Sequence, residues 1–321
     1  MQIGTLCVPE GAVLAPMAGV TDFSFRAVCA ELGAAAVVTE MVSAKALCYR
    51  DKKSASLLRR NEGVICGAQI FGSEPETMAR GAVLALEHSG CDFIDLNMGC
   101  PMPKIVNNGE GSALLKNLPL AGEIISAVVR AVPVPVTVKT RKGWDKSSVN
   151  VAELAKIAED CGAAAIAIHG RTRNMLYSGR ADWDIIAQVK QSVRIPVIAN
   201  GDVDSAEAAL RCRKWTGADA IMVGRASFGD PWLFAQIRAA LRGEPVPERP
   251  VLAERMEIAL RQAELACDDK GEHIACLEAR KHLAWYLRGV PYSGYYKQEI
   301  SKLSSMDEVR RVIHGIQRDL S

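Results

Sequence analysis

The chain has 321 residues, 49% apolar and 24% charged, with a net charge of +2. This is an ordinary globular composition, long enough for one barrel of roughly 250 residues and a smaller appendix, and its near-neutral charge by itself gives no reason to propose a nucleic-acid partner. Its ten cysteines are scattered, many of them in apolar runs, and no two form a C-x-x-C pair, which argues against a disulfide framework or a zinc site.

Short β-branched runs alternate with helical stretches along the chain. The first expected strand, Val13–Met17, is followed by a helix over Ser24–Leu32, and the second is Ala36–Glu40. A third, Ile65–Ile70, precedes a helix over Glu76–His88, and a fourth, Phe93–Asn97, precedes one over Leu120–Ala131. Val134–Lys139 leads to a helix over Val151–Asp160; Ala164–His169 and Ile195–Asn200 follow, then a helix over Ala206–Trp215 and the last strand, Ala220–Gly224. Several helices end near glycine (Gly33, Gly90, Gly162, Gly217), and Ser73 and Ser205 offer N-terminal caps. Eight βα units predict an α/β fold, a (β/α)8 TIM barrel. The competing doubly wound open sheet normally carries a glycine-rich phosphate loop after its first strand, and none is present here.

After Trp232 the strand pattern stops. Gly243, Pro245, Pro247 and Pro250 mark a linker, and helical stretches follow at about 251–270, 272–288, 294–303 and 306–318. The expected division is a barrel over 1–240 and a C-terminal all-helical domain over 241–321. No run of about 18 apolar residues points to a membrane span, and the N-terminus has no basic segment followed by an apolar run. With its free thiols, the chain is expected in the cytoplasm.

The polar residues that close the runs are the informative ones: Glu40, Gln69, Asn97, Lys139, His169 and Asn200. In a parallel barrel those strand ends share one face, where active sites of this fold are built. A single one of them caps its strand as often as it serves a site; six around one rim argue for a site. Asn200-Gly201-Asp202 and Gly224-Arg225 follow the last two strands, where this fold cradles phosphates. Lys139 lies across the barrel, below a ring. A ring plus a phosphate suggests FMN, whose anionic reduced form a cation would stabilise. A sugar-phosphate substrate fits the two short motifs equally well.

Ala15-Pro16-Met17-Ala18-Gly19-Val20-Thr21-Asp22 resembles the opening motif of the tRNA-dihydrouridine synthases, and Asn97-Met98-Gly99-Cys100-Pro101 with Lys104 resembles their catalytic loop. Val138-Lys139-x-Arg141-x-Gly143-Trp144, Ile168-His169-Gly170-Arg171-Thr172-Arg173, the two phosphate motifs and Gly229-Asp230-Pro231-Trp232 follow in family order. Arg280-Lys281-His282 and Trp285-Tyr286 resemble the helical part of the bacterial B-type subgroup. The resemblance implies that Pro16, Met17 and Ala18 touch FMN through their backbone, that Gln69, Lys139 and His169 contact its ring system, and that Asn200, Gly201, Asp202, Gly224 and Arg225 surround its phosphate. Cys100 is then the proton donor, with Asn97 and Arg141 at the uracil. The chain departs from the family at Ser24, where proline is common, at Met102-Pro103, where small or basic residues are common, and at Ala226-Ser227, where glycine is frequent. The first two bear on loop stiffness and the third on the phosphate loop.

Reduction of the uracil C5=C6 bond requires hydride to C6, supplied by reduced flavin N5, and a proton to C5 from the opposite side. A thiol of ordinary pKa, about 8.5, stays protonated at neutral pH and suits that role. Taken alone, Cys100 reads as one more structural thiol; its rim position between Gly99 and Pro101 argues for chemistry. NADPH is the expected reductant. No separate dinucleotide motif is present, so the nicotinamide should use the same face in turn, by ping-pong kinetics. His169 in isolation reads as a core histidine, Glu40 and Asp182 as supporting or structural, and Trp144 equally as loop packing or RNA contact.

A base inside a barrel mouth must be turned out of the tRNA. Arg141, Lys142, Arg171, Arg173 and Arg180 fall in rim loops, and Arg280, Lys281, Arg288, Lys297 and Lys302 interleave with Tyr286, Tyr292, Tyr295 and Tyr296 in the tail. The resemblance, rather than charge, assigns Arg171, Arg173, Arg280, Lys281 and Tyr286 to tRNA. The expected partners are tRNA and NADPH, with no membrane and no obligate protein partner. One rival is an FMN barrel acting on a free pyrimidine such as dihydroorotate, which leaves the basic helical tail unexplained. The other is a non-catalytic tRNA-binding protein, against which the full set of rim residues argues.

Overall fold

The computed structural model describes residues 1–320. Eight strands, β1 (Ala12–Leu14), β2 (Ala36–Val38), β3 (Ile65–Phe71), β4 (Phe93–Met98), β5 (Val136–Arg141), β6 (Ala165–His169), β7 (Val197–Asn200) and β8 (Ala220–Val223), pair in parallel with their chain neighbours. β8 also pairs with β1, through Met222 and Val13, so the sheet closes on itself. The wall is surrounded by α1 (Phe23–Glu31), α2 (Ala44–Cys48), α3 (Pro75–Ser89), α4 (Leu118–Ala131), α5 (Val151–Asp160), α6 (Trp183–Ser192), α7 (Ala206–Thr216) and α8 (Leu233–Arg242).

Alternation along each strand sorts the side chains into two layers. Leu14, Val37, Ile94, Leu96, Val138, Ile166, Ile168 and Ile221 face outward and are sealed under helix residues such as Val28, Ala82, Ile125, Leu154 and Phe234. The interior is filled with smaller groups, Ala15, Ala36, Ala165, Ala167 and Ala220, together with Val13, Ile198 and Met222. Ile3 and Val8, from a hairpin formed by Gln2–Ile3 and Leu6–Cys7, join this inner layer. An interior built largely of alanine is how so few aromatic residues suffice.

Helix starts follow local chemistry. Asp22 accepts the Phe25 N–H at the start of α1, Ser205 the Ala208 N–H at α7, and Asp182 the Ile185 N–H at α6, a helix the periodicity does not reveal. Ser73 does not cap: α3 begins with Pro75 after Glu74, and the Ser73 hydroxyl donates to Asn108 O. Proline at the first helical position needs no N–H partner there.

α8 runs to Arg242 and ends at Gly243 with φ +70°. The tail comprises α9 (Leu252–Lys270), α10 (Glu272–Tyr286), α11 (Gly294–Ile300) and α12 (Met306–Leu320). It has its own core, in which Met256, Cys276, Leu283, Tyr286, Val309 and Ile316 are inaccessible or nearly so. It joins the barrel along α1: Arg261 forks onto Glu31 (2.6 and 2.9 Å), Arg59 pairs with Asp269, and Lys270 bridges Asp22 and Glu278. Gly229, at φ +69°, lies so close to the tail that a Cβ would meet the Trp285 carbonyl carbon at 2.3 Å. No helix among the described residues is long and apolar enough to cross a membrane.

Candidate active site

A cavity of about 820 Å³ opens at the C-terminal ends of the strands, within the size range of small-molecule sites. Its lining brings together Pro16, Met17 and Ala18 after β1, Asn97 and Cys100 from β4 and its loop, Lys139 and Arg141 of β5, His169 of β6, Asn200, Gly201 and Asp202 after β7, and Gly224 and Arg225 after β8. Met41, Met102, Tyr177, Asp204, Phe228 and the tail's Arg288 also line it. Sequence reasoning assigned none of these six to the cavity. Tyr177 carries no signal beyond lying in a rim loop, and Arg288 is visible in sequence only as one charge of a basic run.

The loop carrying Cys100 hangs from a buried polar chain. Asp95 accepts from Thr137 Oγ1 (2.5 Å) and Gln69 Nε2 (2.7 Å); Gln69 Oε1 accepts from Asn97 Nδ2 (2.9 Å); Asn97 Oδ1 accepts the N–H groups of Cys100 (2.9 Å) and Gly99 (3.2 Å). A carboxylate can only accept, so each amide in the chain has one permitted orientation, and the Cys100 backbone is fixed as a result. Arg141 adds a second tether, donating to Gly99 O, Thr172 O and Leu176 O (2.9–3.0 Å), which ties the loop after β4 to the loop after β6.

Cations dominate the electrostatics of the pocket. Burial, reinforced by the Arg141 charge, lowers Lys139 to about 8, with Asp95 and Cys100 acting the other way; its ammonium donates to Asn200 Oδ1 (3.2 Å). Burial and then Arg141, Lys139, Arg171 and Arg225 drive His169 down to about 2, so its ring is neutral. Arg171 can only donate, which makes the facing His169 Nε2 (3.3 Å) an acceptor. Burial raises the Cys100 thiol, opposed by the Met102 backbone and by Arg141 and Lys139, so it stays protonated at neutral pH. Burial lifts Asp95 to about 6.

The donor set suits a flat ring bearing a phosphate. Lys139, Arg141, Arg225 and Arg288 face Asp202 and Asp204, and Asp202 is already paired with Arg171 (2.7 Å). Gly201, at φ +120°, fits between His169 and Ala181, where a Cβ would meet the imidazole Cδ2 at 2.9 Å and the alanine Cβ at 2.7 Å. Backbone approach at this point therefore requires glycine.

Five expectations change. Gln69 does not line the cavity: it is 1% exposed and lies beneath, holding Asn97. Arg171 is 3% exposed, its guanidinium held by Ser178 O, Gly179 O and Asp202, so it braces the rim rather than reaching outward. Tyr286 is inaccessible, with its hydroxyl on Gln262 Oε1 (2.9 Å), because the aromatic face of α10 points into the tail core. Arg280 donates to Leu303 O from two nitrogens and closes a turn of the tail. Lys281 donates to Gly19 O, while Glu40 accepts the Gly19 N–H, so Gly19, in the loop after β1, is held through both of its backbone groups. Arg173 is half-buried at the rim, over the Trp144 ring.

The solved structure of 6-hydroxypseudooxynicotine amine oxidase from Pseudomonas geniculata superposes with a TM-score of 0.60 over 80% of this chain and 52% of that one, at 16% identity, a likeness of fold alone. In sequence, the chain is 43% identical to tRNA-dihydrouridine synthase B of Pseudomonas aeruginosa, over 96% of this chain and 92% of the relative. It is 41% identical to the probable tRNA-dihydrouridine synthase of Rickettsia conorii, over 98% of this chain and 95% of the relative. The family model described as dihydrouridine synthase matches residues 13–320. Nearly full-length agreement of this kind, with the rim residues in place, means that the chain belongs to the dihydrouridine synthase family.

Proposed function

We propose that this protein binds FMN in the rim cavity and, with NADPH as reductant, reduces a D-loop uridine of tRNA to 5,6-dihydrouridine. The observation that carries this reading is the convergence of one protonated thiol, Cys100, with Lys139, Arg141 and His169 on one cavity of about 820 Å³. When bound, the flavin supplies hydride chemistry. Asn200, Gly201, Asp202, Gly224 and Arg225 hold its phosphate side, and Lys139 holds positive charge at its ring.

Cys100 keeps a proton at Sγ for delivery to C5 of the uracil, and the Asp95–Gln69–Asn97 chain fixes the loop from which it acts. Asn97 and Arg141 orient the base, and neutral His169 offers a hydrogen bond without adding charge. The tail, from about residue 241, holds the RNA beside the barrel mouth, with Arg288 reaching the cavity. The deciding experiment supplies NADPH and undermodified tRNA to the unaltered protein and to Cys100→Ala. The unaltered protein should form dihydrouridine. The variant should lose roughly 100-fold or more of that rate, yet still accept electrons from NADPH when no tRNA is present. Dihydrouridine formation at the full rate by the variant would remove Cys100 from the mechanism.

A further inference from the structure

Beside the cavity, the loops after β4, β5 and β6 meet at a feature the chemistry above does not use. Trp144 has two cations over its ring: Lys116 Nζ lies 3.6 Å from the centroid and Arg173 Cζ 4.7 Å. The two charges are therefore no more than about 8 Å apart. The arrangement is built into the backbone. The Arg173 N–H donates to Gly143 O (2.9 Å) and the Asn174 N–H to Trp144 O (3.0 Å). Gly143 pairs with Val149, and a Cβ at Gly143 would meet Ser148 O at 2.2 Å.

Among the described residues neither cation has a carboxylate partner. The nearby acids are engaged elsewhere: Asp182 with Lys142 (2.9 Å), Asp145 with the Ser147 and Ser148 hydroxyls (2.7 and 2.8 Å), Asp202 with Arg171. Arg173 Nε is buried without a hydrogen-bond partner, and its one side-chain acceptor is Asn174 Oδ1 at 3.2 Å. An aromatic face holds a guanidinium in place yet leaves its terminal N–H groups able to donate to a phosphate. Two unpaired like charges kept this close repel one another until an anion arrives. A shallow depression of about 460 Å³ adjoins them, lined by Lys146, Ser147, Thr172, Asn174, Met175 and Ser178 and by Asp145, whose carboxylate is occupied by the Ser147 and Ser148 hydroxyls.

We propose that Lys116, Trp144 and Arg173 form a phosphate-gripping subsite for the RNA backbone next to the base turned into the cavity. The proposal rests on the function argued above; to Arg173, which the resemblance already assigns to tRNA, it adds Lys116, the Trp144 ring that holds both cations, and the chemical group they grip. It also ties recognition to chemistry. Lys116 ends the turn Gly111–Lys116, and Ser112 in that turn donates to Cys100 O from its N–H (3.1 Å) and hydroxyl (2.9 Å). A phosphate seated on Lys116 thus steadies the segment that bears the thiol.

The test measures binding of an unmodified tRNA transcript by the full-length holoprotein over a range of salt concentrations. Lys116→Gln and Arg173→Gln should each weaken binding roughly 3- to 10-fold and make the plot of log affinity against log salt shallower by roughly 0.7 to 0.9. Arg173→Lys should restore most of the slope. Trp144→Leu keeps both charges but loosens them, so affinity should fall with little change in slope. Lys156→Gln, a control on α5, should alter neither. Unchanged affinity and slope in the two glutamine variants, or an equal change in the control, would overturn the subsite while leaving the proposed function standing. Failure of the unaltered protein to bind tRNA would overturn both.

Discussion

Asp95 terminates the chain that fixes Cys100, and asparagine in its place separates its charge from its hydrogen bonds. The asparagine oxygen can still accept from Gln69 Nε2 when its amide nitrogen faces the Thr137 hydroxyl, which accepts in turn. The charge is then lost, together with the acceptor of the Thr137 hydroxyl proton, a cost that does not vary with pH. Burial lifts the Asp95 carboxyl from 3.8 to about 6, with Thr137, Gln69 and Lys139 pulling it back. A group with a higher pKa folded than unfolded binds its proton more tightly in the fold, so ionising it weakens the fold. The penalty is absent below the unfolded pKa, grows between about pH 4 and pH 6, and is constant above. Two pKa units correspond to roughly 3 kcal/mol at most. Lys139, at about 8, keeps its charge through this window and adds no slope to the unaltered protein. Urea unfolding of both proteins from pH 4.5 to pH 7 should show Asp95→Asn gaining stability as pH rises, approaching that limit at pH 7. A gap that stays constant, or that narrows with pH, would refute the account of Asp95 as a buried charge kept for its geometry.

Other outcomes follow from the same reasoning. Affinity of the cofactor-free protein for FMN should fall as pH rises through about 8, where Lys139 loses its proton, and Lys139→Gln should lack that limb; a flat profile in the unaltered protein removes Lys139 from ligand binding. Tyr286→Phe should lower stability by roughly 1–3 kcal/mol by unpairing buried Gln262, with no loss of tRNA affinity, as measured by denaturation and binding side by side. Gly229→Ala should destabilise by roughly 2–4 kcal/mol through its positive φ and its collision with the Trp285 backbone, with the tail becoming protease-sensitive first.

The barrel was legible because the wall strands are short apolar, often β-branched runs and six of the eight carry a polar residue at or next to their C-terminal end. Those residues sit one or two steps apart along their strands, however, and depth was not legible. Gln69 and Asn97 both come near the ends of their runs, yet Gln69 pairs level with Asp95, two residues below Asn97, so one lies beneath the cavity and the other lines it. Asp95 did leave a trace, as a lone acid two positions before Asn97 on the same inward face. In the tail the composition of α10 was readable but its rotation was not. With apolar and basic residues interleaved, sequence alone did not decide whether Tyr286 faced solvent or core. Arg171 and Arg280 look alike as surface charges, and only the carbonyl oxygens that the fold aims at them explain their actual work.

The double grip on the Gly19 backbone has a further consequence for how such proteins can be recombined. One hand of the grip, Glu40, belongs to the barrel, and the other, Lys281, belongs to a helix more than two hundred positions downstream. A chimera whose replacement helices lack a lysine at the position of Lys281 would inherit the first loop with one support missing, and the same loop furnishes Pro16, Met17 and Ala18 to the pocket wall. Loop and tail therefore make one exchangeable unit, and transplanting specificity between relatives calls for moving the two together.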